Sequence, residues 1–266
     1  MKDKKHLEGL VLKWGGDTSD SQKERDLVDK LQPHAGVKFV SIVNYGGTKF
    51  PHWLDKPHSF RNMVSLELRR CANCYLLPSI GQLPSLKHLR IEEMKEITEV
   101  GREFYEDASS FSFSSIKPFQ SLETLSFEKM SEWKEWHALE VGEFSRLLEL
   151  SIVDCPKLIG ELPNHFPSLR KLEIFECHGL VSNNVGLLVQ DISNLTELPP
   201  QFQNLSSLQK LKISRMPNLK ELPPKLCRLI KLERLEIKKC PSLVSFPDMG
   251  LLPMLKTLEI GECEAL

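Results

Sequence analysis

One spacing recurs along this chain and limits what it can fold into. A leucine is followed three residues on by a second, two further on by a leucine or isoleucine, and three further on by a cysteine or methionine. In Leu83–Met94, LPSLKHLRIEEM, the pattern falls on Leu86, Leu89, Ile91 and Met94. Leu89 and Ile91 are two apart, which is strand spacing, so both side chains point the same way. A single segment of this kind is a marginal strand, and its weight comes from repetition.

The copies run in order. Leu7, Leu10, Leu12 and Trp14 form an imperfect first one, and Val37, Val40, Ile42 and Tyr45 a second. Then come Met63 to Cys71, Leu86 to Met94, Leu122 to Met130, Leu147 to Cys155 and Leu169 to Cys177. A degenerate copy follows at Leu187–Ile192, where Gln190 takes a leucine position. Leu208 to Met216, Leu232 to Cys240 and Leu255 to Cys263 complete eleven. Most steps of 18 to 26 residues match a leucine-rich repeat of ~20–29 residues. No single repeat can bury its apolar face, but stacking gives a continuous core. The expected fold is an α/β-type repeat solenoid: a leucine-rich repeat horseshoe with a concave parallel β-sheet and irregular convex loops. It forms one domain over residues 1–266.

Other stretches fit between the strands. Gln22–Leu31 is charged and helix-compatible, with Leu27, Val28 and Leu31 expected on one side. Leu77-Pro78, Leu162-Pro163, Leu198-Pro199, Leu222-Pro223 and Phe246-Pro247 mark convex turns, because proline donates no ladder hydrogen bond. The step from Leu86 to Leu122 is 36 residues. Its extra length, Glu103–Lys117, carries five serines and no apolar period, and reads as a mobile loop projecting from the solenoid.

Lys and Arg number 35 against 36 Asp and Glu, a net charge of -1. That balance argues against nucleic acid as a partner. No run approaches the ~18 apolar residues of a membrane span, and MKDKKHLEGLVLKW has no apolar signal core. The expectation is therefore a cytoplasmic chain with its seven cysteines reduced. The stop at Leu266, just past a repeat strand, reads as a fragment or a truncated product.

Few motifs carry chemistry. Cys71 and Cys74 form a CxxC, but no second ligand pair follows. Cys71 shares its repeat slot with Cys155, Cys177, Cys240 and Cys263, so these read as buried thiols rather than metal ligands. Eight histidines are scattered with no linked nucleophile. No catalytic residue, cofactor site or metal site is expected. Asn194 and Asn204 begin glycosylation sequons that read as chance. Trp133 and Trp136 are either an exposed aromatic hot spot or packed under convex loops, with packing favoured. The acidic run Glu92, Glu93, Glu96, Glu99, Glu103, Glu106 and Asp107 either attracts a basic partner or is a solvated face.

The candidate binding surface is the outward row of the sheet. The residue between the second leucine and the isoleucine points away from the core. These residues are Ser41, Glu67, Arg90, Ser126, Ser151, Glu173, Asp191, Lys212, Glu236 and Glu259. With Arg69, Arg70, Glu92, Lys129, Arg215, Lys238 and Lys239 they make a mixed-charge strip suited to a protein ligand of complementary charge. Charge reversal at Arg90 or Lys212 is expected to weaken capture without lowering the melting temperature.

Several longer stretches resemble one family. ERDLVDKLQPH (Glu24–His34), VNYGGTKFPHWL (Val43–Leu54), LPSIGQLPSLKHLRI (Leu77–Ile91), VGREFYED (Val100–Asp107) and PFQSLETLSFEKMSEWKEW (Pro118–Trp136) are similar to the leucine-rich repeat domain of plant intracellular nucleotide-binding, leucine-rich repeat immune receptors of the coiled-coil type. The resemblance covers roughly residues 1–180. It implies a module that senses a pathogen effector or a guarded host protein and restrains the receptor's nucleotide-binding domain. No GxxxxGK[ST] phosphate loop is present, and Gly46-Gly47-Thr48-Lys49 lacks its spacing, so nucleotide binding is not expected of this chain. The alternatives are a substrate-receptor subunit of a ubiquitin ligase, an extracellular receptor ectodomain, and a truncated product with no function of its own. No F-box-like segment lies in residues 1–40, and the irregular spacing speaks against an ectodomain.

Overall fold

The computed structural model describes residues 1–15, 21–56, 59–105, 117–137, 143–159, 162–163, 165–180, 205–246 and 252–266. The strands are β1 (Gly9–Lys13), β2 (Phe39–Val43), β3 (Ser65–Arg69), β4 (His88–Glu92), β5 (Glu99–Val100) and β6 (Thr124–Glu128). They continue with β7 (Glu135–Trp136), β8 (Glu149–Val153), β9 (Lys171–Phe175), β10 (Lys210–Ser214), β11 (Arg234–Lys238) and β12 (Thr257–Gly261). Ten of them form one open parallel sheet in the order β1-β2-β3-β4-β6-β8-β9-β10-β11-β12. The described repeats thus stack in sequence order, as a solenoid requires. Ten strands at ~4.8 Å give a sheet about 45 Å long.

Register follows the repeat. Leu10, Val40, Leu66, Leu89 and Leu125 line up, and the same row continues through Leu150, Leu172, Leu211, Leu235 and Leu258. The row two residues on, from Leu12 to Ile260, does the same. Both rows are buried up to β11. Leu258 and Ile260 on β12 are 45% and 40% exposed, because no described strand covers that strand's far side. Cys71, Met94, Met130, Cys155, Cys177, Met216 and Cys240 close the core at the strand ends, all fully buried.

The ladder extends beyond the strands. The Val64 carbonyl accepts both Lys87 N–H and His88 N–H, and the Lys87 carbonyl accepts Glu123 and Thr124 in the same way. At the other end each described repeat after the first places a non-glycine residue in the left-handed region, from Asn44 and Arg70 to Lys239 and Glu262, with φ of 53–60°. The Arg70 N–H then donates to Glu92 O, and the Lys129 N–H to Val153 O, both at 2.8 Å. A left-handed L-residue costs ~1–2 kcal/mol, and the cross-repeat hydrogen bond offsets part of that.

Two expectations change, and a third, left open between two readings, is decided in the favoured sense. First, the helix α1 (Ser21–Lys30) has acidic Glu24 in its first turn and Lys30 in its last, matching its dipole. Its inner face is Glu24 and Val28, with Leu31 half-buried, while Leu27 is 50% exposed. The i, i+4 spacing of Glu24 and Val28 wins because the Glu24 carboxylate accepts the Gly46 N–H at 2.6 Å. Second, the stretch expected to project starts inside the core. Arg102–Phe104 form a 3-10 turn, and Phe104 and Tyr105 are fully buried. Gly81 allows this, since a Cβ there would lie 2.6 Å from the Tyr105 carbonyl oxygen. Residues 106–116 lie outside the described residues. Third, both tryptophans are buried, so neither is an exposed hot spot. Trp133 lies 4.6 Å from Phe127 ring to ring, and Trp136 Nε1 donates to the Tyr105 hydroxyl at 2.7 Å. Trp136 belongs to a second two-stranded sheet, β5 paired with β7, that the repeat pattern did not announce. The degenerate copy at 187–192 and the sequons at Asn194 and Asn204 also lie outside the described residues. In the sheet, β9 pairs directly with β10, Lys171 beside Lys210.

Candidate protein-binding face

The sheet turns one set of side chains outward, at the first, third and fifth position of every strand. The third positions fall in a single register row: Val11, Ser41, Glu67, Arg90, Ser126, Ser151, Glu173, Lys212, Glu236 and Glu259. Asp191 lies outside the described residues. Ser41 is buried, and its hydroxyl lies 3.3 Å from Glu67 Oε2. Val11, 61% exposed, heads the row and was hidden in the sequence by the imperfect first copy.

The charges on this face are mostly spent on one another. Arg90 bonds Glu128 at 2.7 Å and Glu92 at 3.1 Å, and Arg69 holds the same buried Glu92 at 2.8 Å. The Ser126 hydroxyl donates to Glu128 Oε1 at 2.8 Å. Further along, Lys212 bonds Glu173 at 2.8 Å, and Arg215 bonds Glu176 at 2.7 Å while lying over the Phe175 ring. At the far end Lys238 reaches Glu259 at 2.5 Å and Glu236 at 3.3 Å. The Glu259 and Glu236 contacts hold the Lys238 ammonium above its ordinary range, and Lys238 holds Glu259 below the usual carboxylate range. Arg70 is likewise bonded to Glu93 at 2.7 Å. Neighbouring repeats place opposite charges side by side, so the strip is electrically quiet rather than a field of free charge. The acidic run loses its open character in the same way, since Glu92 and Glu93 are paired and Glu99 faces His137 at 3.4 Å.

The thiols are structural in geometry. Cys177 donates to Ile152 O at 3.4 Å and Phe175 O at 3.3 Å, and Cys155 and Cys71 make similar contacts with strand carbonyls. Burial pushes Cys71 up to about 12 and Cys240 up to about 11, and raises Cys74 and Cys155 as well. Buried neutral thiols are poor nucleophiles and poor metal ligands. Among the described residues no group of three or more His, Cys, Asp or Glu is placed to hold a metal ion. No described helix is long and apolar enough to cross a membrane.

The repeat has known counterparts. A family model described as "Plant disease resistance protein RPS2-like, leucine-rich repeats" matches residues 121–264, and one described as "R13L1/DRL21 LRRs" matches residues 1–94. The chain belongs to the leucine-rich repeats of plant disease resistance proteins. An RPP13-like disease resistance protein of Arabidopsis thaliana is 38% identical over 189 residues, covering 66% of this chain and 18% of the relative. A second A. thaliana disease resistance protein is 34% identical over 218 residues, 77% of this chain and 15% of the relative. Disease resistance protein RGA4 of Solanum bulbocastanum is 31% identical over 199 residues, 73% of this chain and 19% of the relative. This disease-resistance repeat region therefore spans less than a fifth of each of these relatives' length. Among solved structures, the leucine-rich repeat domain of the type III effector XopL superposes with a TM-score of 0.64 at 19% identity, covering 96% of this chain and 76% of that one. At that identity the likeness speaks for the fold.

Proposed function

We propose that this chain is the protein-recognition module of a plant immune receptor, and that it binds on the sheet's outward face. It works by association, not catalysis. One observation carries the reading: ten strands in continuous register present unbroken rows of outward side chains, on a chain whose relatives are disease resistance proteins. In the complete receptor this face senses a pathogen effector or a guarded host protein. The same region contacts the nucleotide-binding domain and restrains it, in the cytoplasm. A ligand that prefers the released state shifts the receptor by its difference in affinity for the two states. The test is to co-express this chain with the nucleotide-binding domain of a coiled-coil-type plant immune receptor, as separate polypeptides, and measure retention on an affinity resin. Retention that a Glu173→Lys plus Glu236→Lys variant abolishes, at unchanged circular dichroism, supports the reading. Retention indifferent to outward-row substitutions moves the contact elsewhere, and no retention removes the restraint.

A further inference from the structure

The outward face is interrupted at its centre. From β3 to β12 the third and fifth strand positions carry charge, apart from one patch, the Ser214 that borders it and Gly261 at the end. The patch is Ser126 and Ser151 at third positions and Val153 and Phe175 at fifth positions, bordered by the buried Ser214. Arg90 stands on one side of the two serines and Glu173 on the other, three strand steps or roughly 14 Å apart. Between them two short side chains leave a notch, and Val153 and Phe175, both half-buried, form its apolar wall.

The surroundings select an occupant. Glu128, Glu173 and Glu176 at the rim already hold Arg90, Lys212 and Arg215. Lys129 and Lys210 are exposed and form no ion pair with any described residue, and the half-buried Asp154 is the one described rim carboxylate that also forms none. The uncompensated charge at the notch is therefore positive. Ser126 is held by the Glu128 carboxylate at 2.8 Å and Arg215 lies over the Phe175 ring, so the open ground is Ser151 and Val153. An uncharged group seated there breaks no ion pair, whereas the flanking pairs would each have to be broken to serve a charged one. An uncharged centre with a charged rim is the arrangement of an interface core.

Resting on the reading of this face as a recognition surface, we infer that the notch receives an aromatic side chain from an acidic segment of a partner protein. The ring lies over Ser151 against Val153, between the Glu128-bonded Ser126 and the Arg215-covered Phe175, and the flanking carboxylates reach Lys129 and Lys210. The specificity is thus apolar at the centre and acidic around it, in place of general charge matching.

Three capped tripeptides test it by amide NMR on the full chain: acetyl-Glu-Trp-Glu-amide, acetyl-Glu-Ala-Glu-amide and acetyl-Lys-Trp-Lys-amide. The first is expected to shift the Ser151 and Phe175 signals and to bind at least tenfold more tightly than the other two. Ser151→Arg, which fills the notch, is expected to abolish that binding with the melting temperature preserved. Should that variant misfold, Lys129→Glu with Lys210→Glu is expected to reverse the preference between the two tryptophan peptides. Equal binding of all three peptides, shifts that map outside the notch, or a Ser151→Arg variant that binds as before would overturn the inference. Capture of the nucleotide-binding domain that is indifferent to Ser151→Arg, with no peptide bound, overturns the notch alone and leaves the recognition face standing.

Discussion

Reversing Arg90 is the sharpest way to ask whether the strip's charges belong to the solenoid or to a ligand. Arg90 bonds Glu128 at 2.7 Å and Glu92 at 3.1 Å. Glu92 is buried to 6% side-chain exposure and keeps Arg69 as its other partner. Arg90→Glu removes two attractive contacts, each worth about 0.5–1 kcal/mol at a 41% exposed side chain. It also brings a third carboxylate beside two others. At 4 Å and an effective dielectric of 20 that repulsion approaches ~4 kcal/mol per pair, but the exposed chain swings outward and water screens it to about 1–2 kcal/mol in total. The sum is about 3 kcal/mol, which lowers the melting temperature by roughly 6–12 °C in a protein of this size. This reverses the expectation from sequence that the substitution leaves stability untouched. Thermal unfolding followed by circular dichroism at low salt and at 1 M salt is the assay, with much of the deficit vanishing at high salt. Arg90→Glu combined with Glu128→Arg is expected to recover at least half the loss, because the pair re-forms in the opposite sense. A single variant that melts within about 1 °C of the parent, or a swap that restores nothing, refutes the internal-pairing argument.

The other predictions concern the core. Leu150→Ala, in a leucine row covered on both sides by Leu125 and Leu172, costs about 2–5 kcal/mol and loosens the neighbouring repeats, visible as faster amide exchange at β6 and β9. Exchange confined to β8 would contradict a shared core. Trp136→Phe leaves the buried Tyr105 hydroxyl without its donor and costs about 1–3 kcal/mol in chemical denaturation, with Tyr105→Phe in the same background adding little. Native-state alkylation at pH 8 followed by mass spectrometry should mark the half-buried Cys227 and Cys263 first and spare Cys71, Cys155, Cys177 and Cys240. The thiols also set an alkaline limit. Cys71 and Cys240 ionise near 9 when unfolded but near 12 and 11 when folded, so their contribution is intact below pH 9 and lost as pH rises through those folded values. Cys71→Ala should flatten that decline, and an identical slope in the variant rules out this source.

Much was legible in the leucines. The spacing of Leu86, Leu89 and Ile91 announced a strand whose two apolar residues share a side, and stacking demanded that such strands align. Trp133 and Trp136 were harder, because nothing in SEWKEW distinguishes a buried aromatic from an exposed one. Their burial depends on Phe127, on the strand just before them, and on Tyr105, which arrives from the preceding repeat. Leu27 misled for a related reason. Hydrophobicity favoured it for the inner helix face, but the Gly46 N–H rewards Glu24, and that choice turns Leu27 outward.

What the sequence by itself determined was the period, the parallel stack and which residues form its wall, because apolar side chains at strand spacing must be buried together or not at all. Only the tertiary structure decided the electrical state of the outward face. Arg90 and Glu128 are 38 residues apart in the chain, and the register of β4 against β6 sets them in contact. The same holds for the left-handed residues at the strand ends. Arg70, Lys129 and Arg215 have no intrinsic preference for positive φ. The neighbouring repeat's carbonyl, placed by the stack, holds them there.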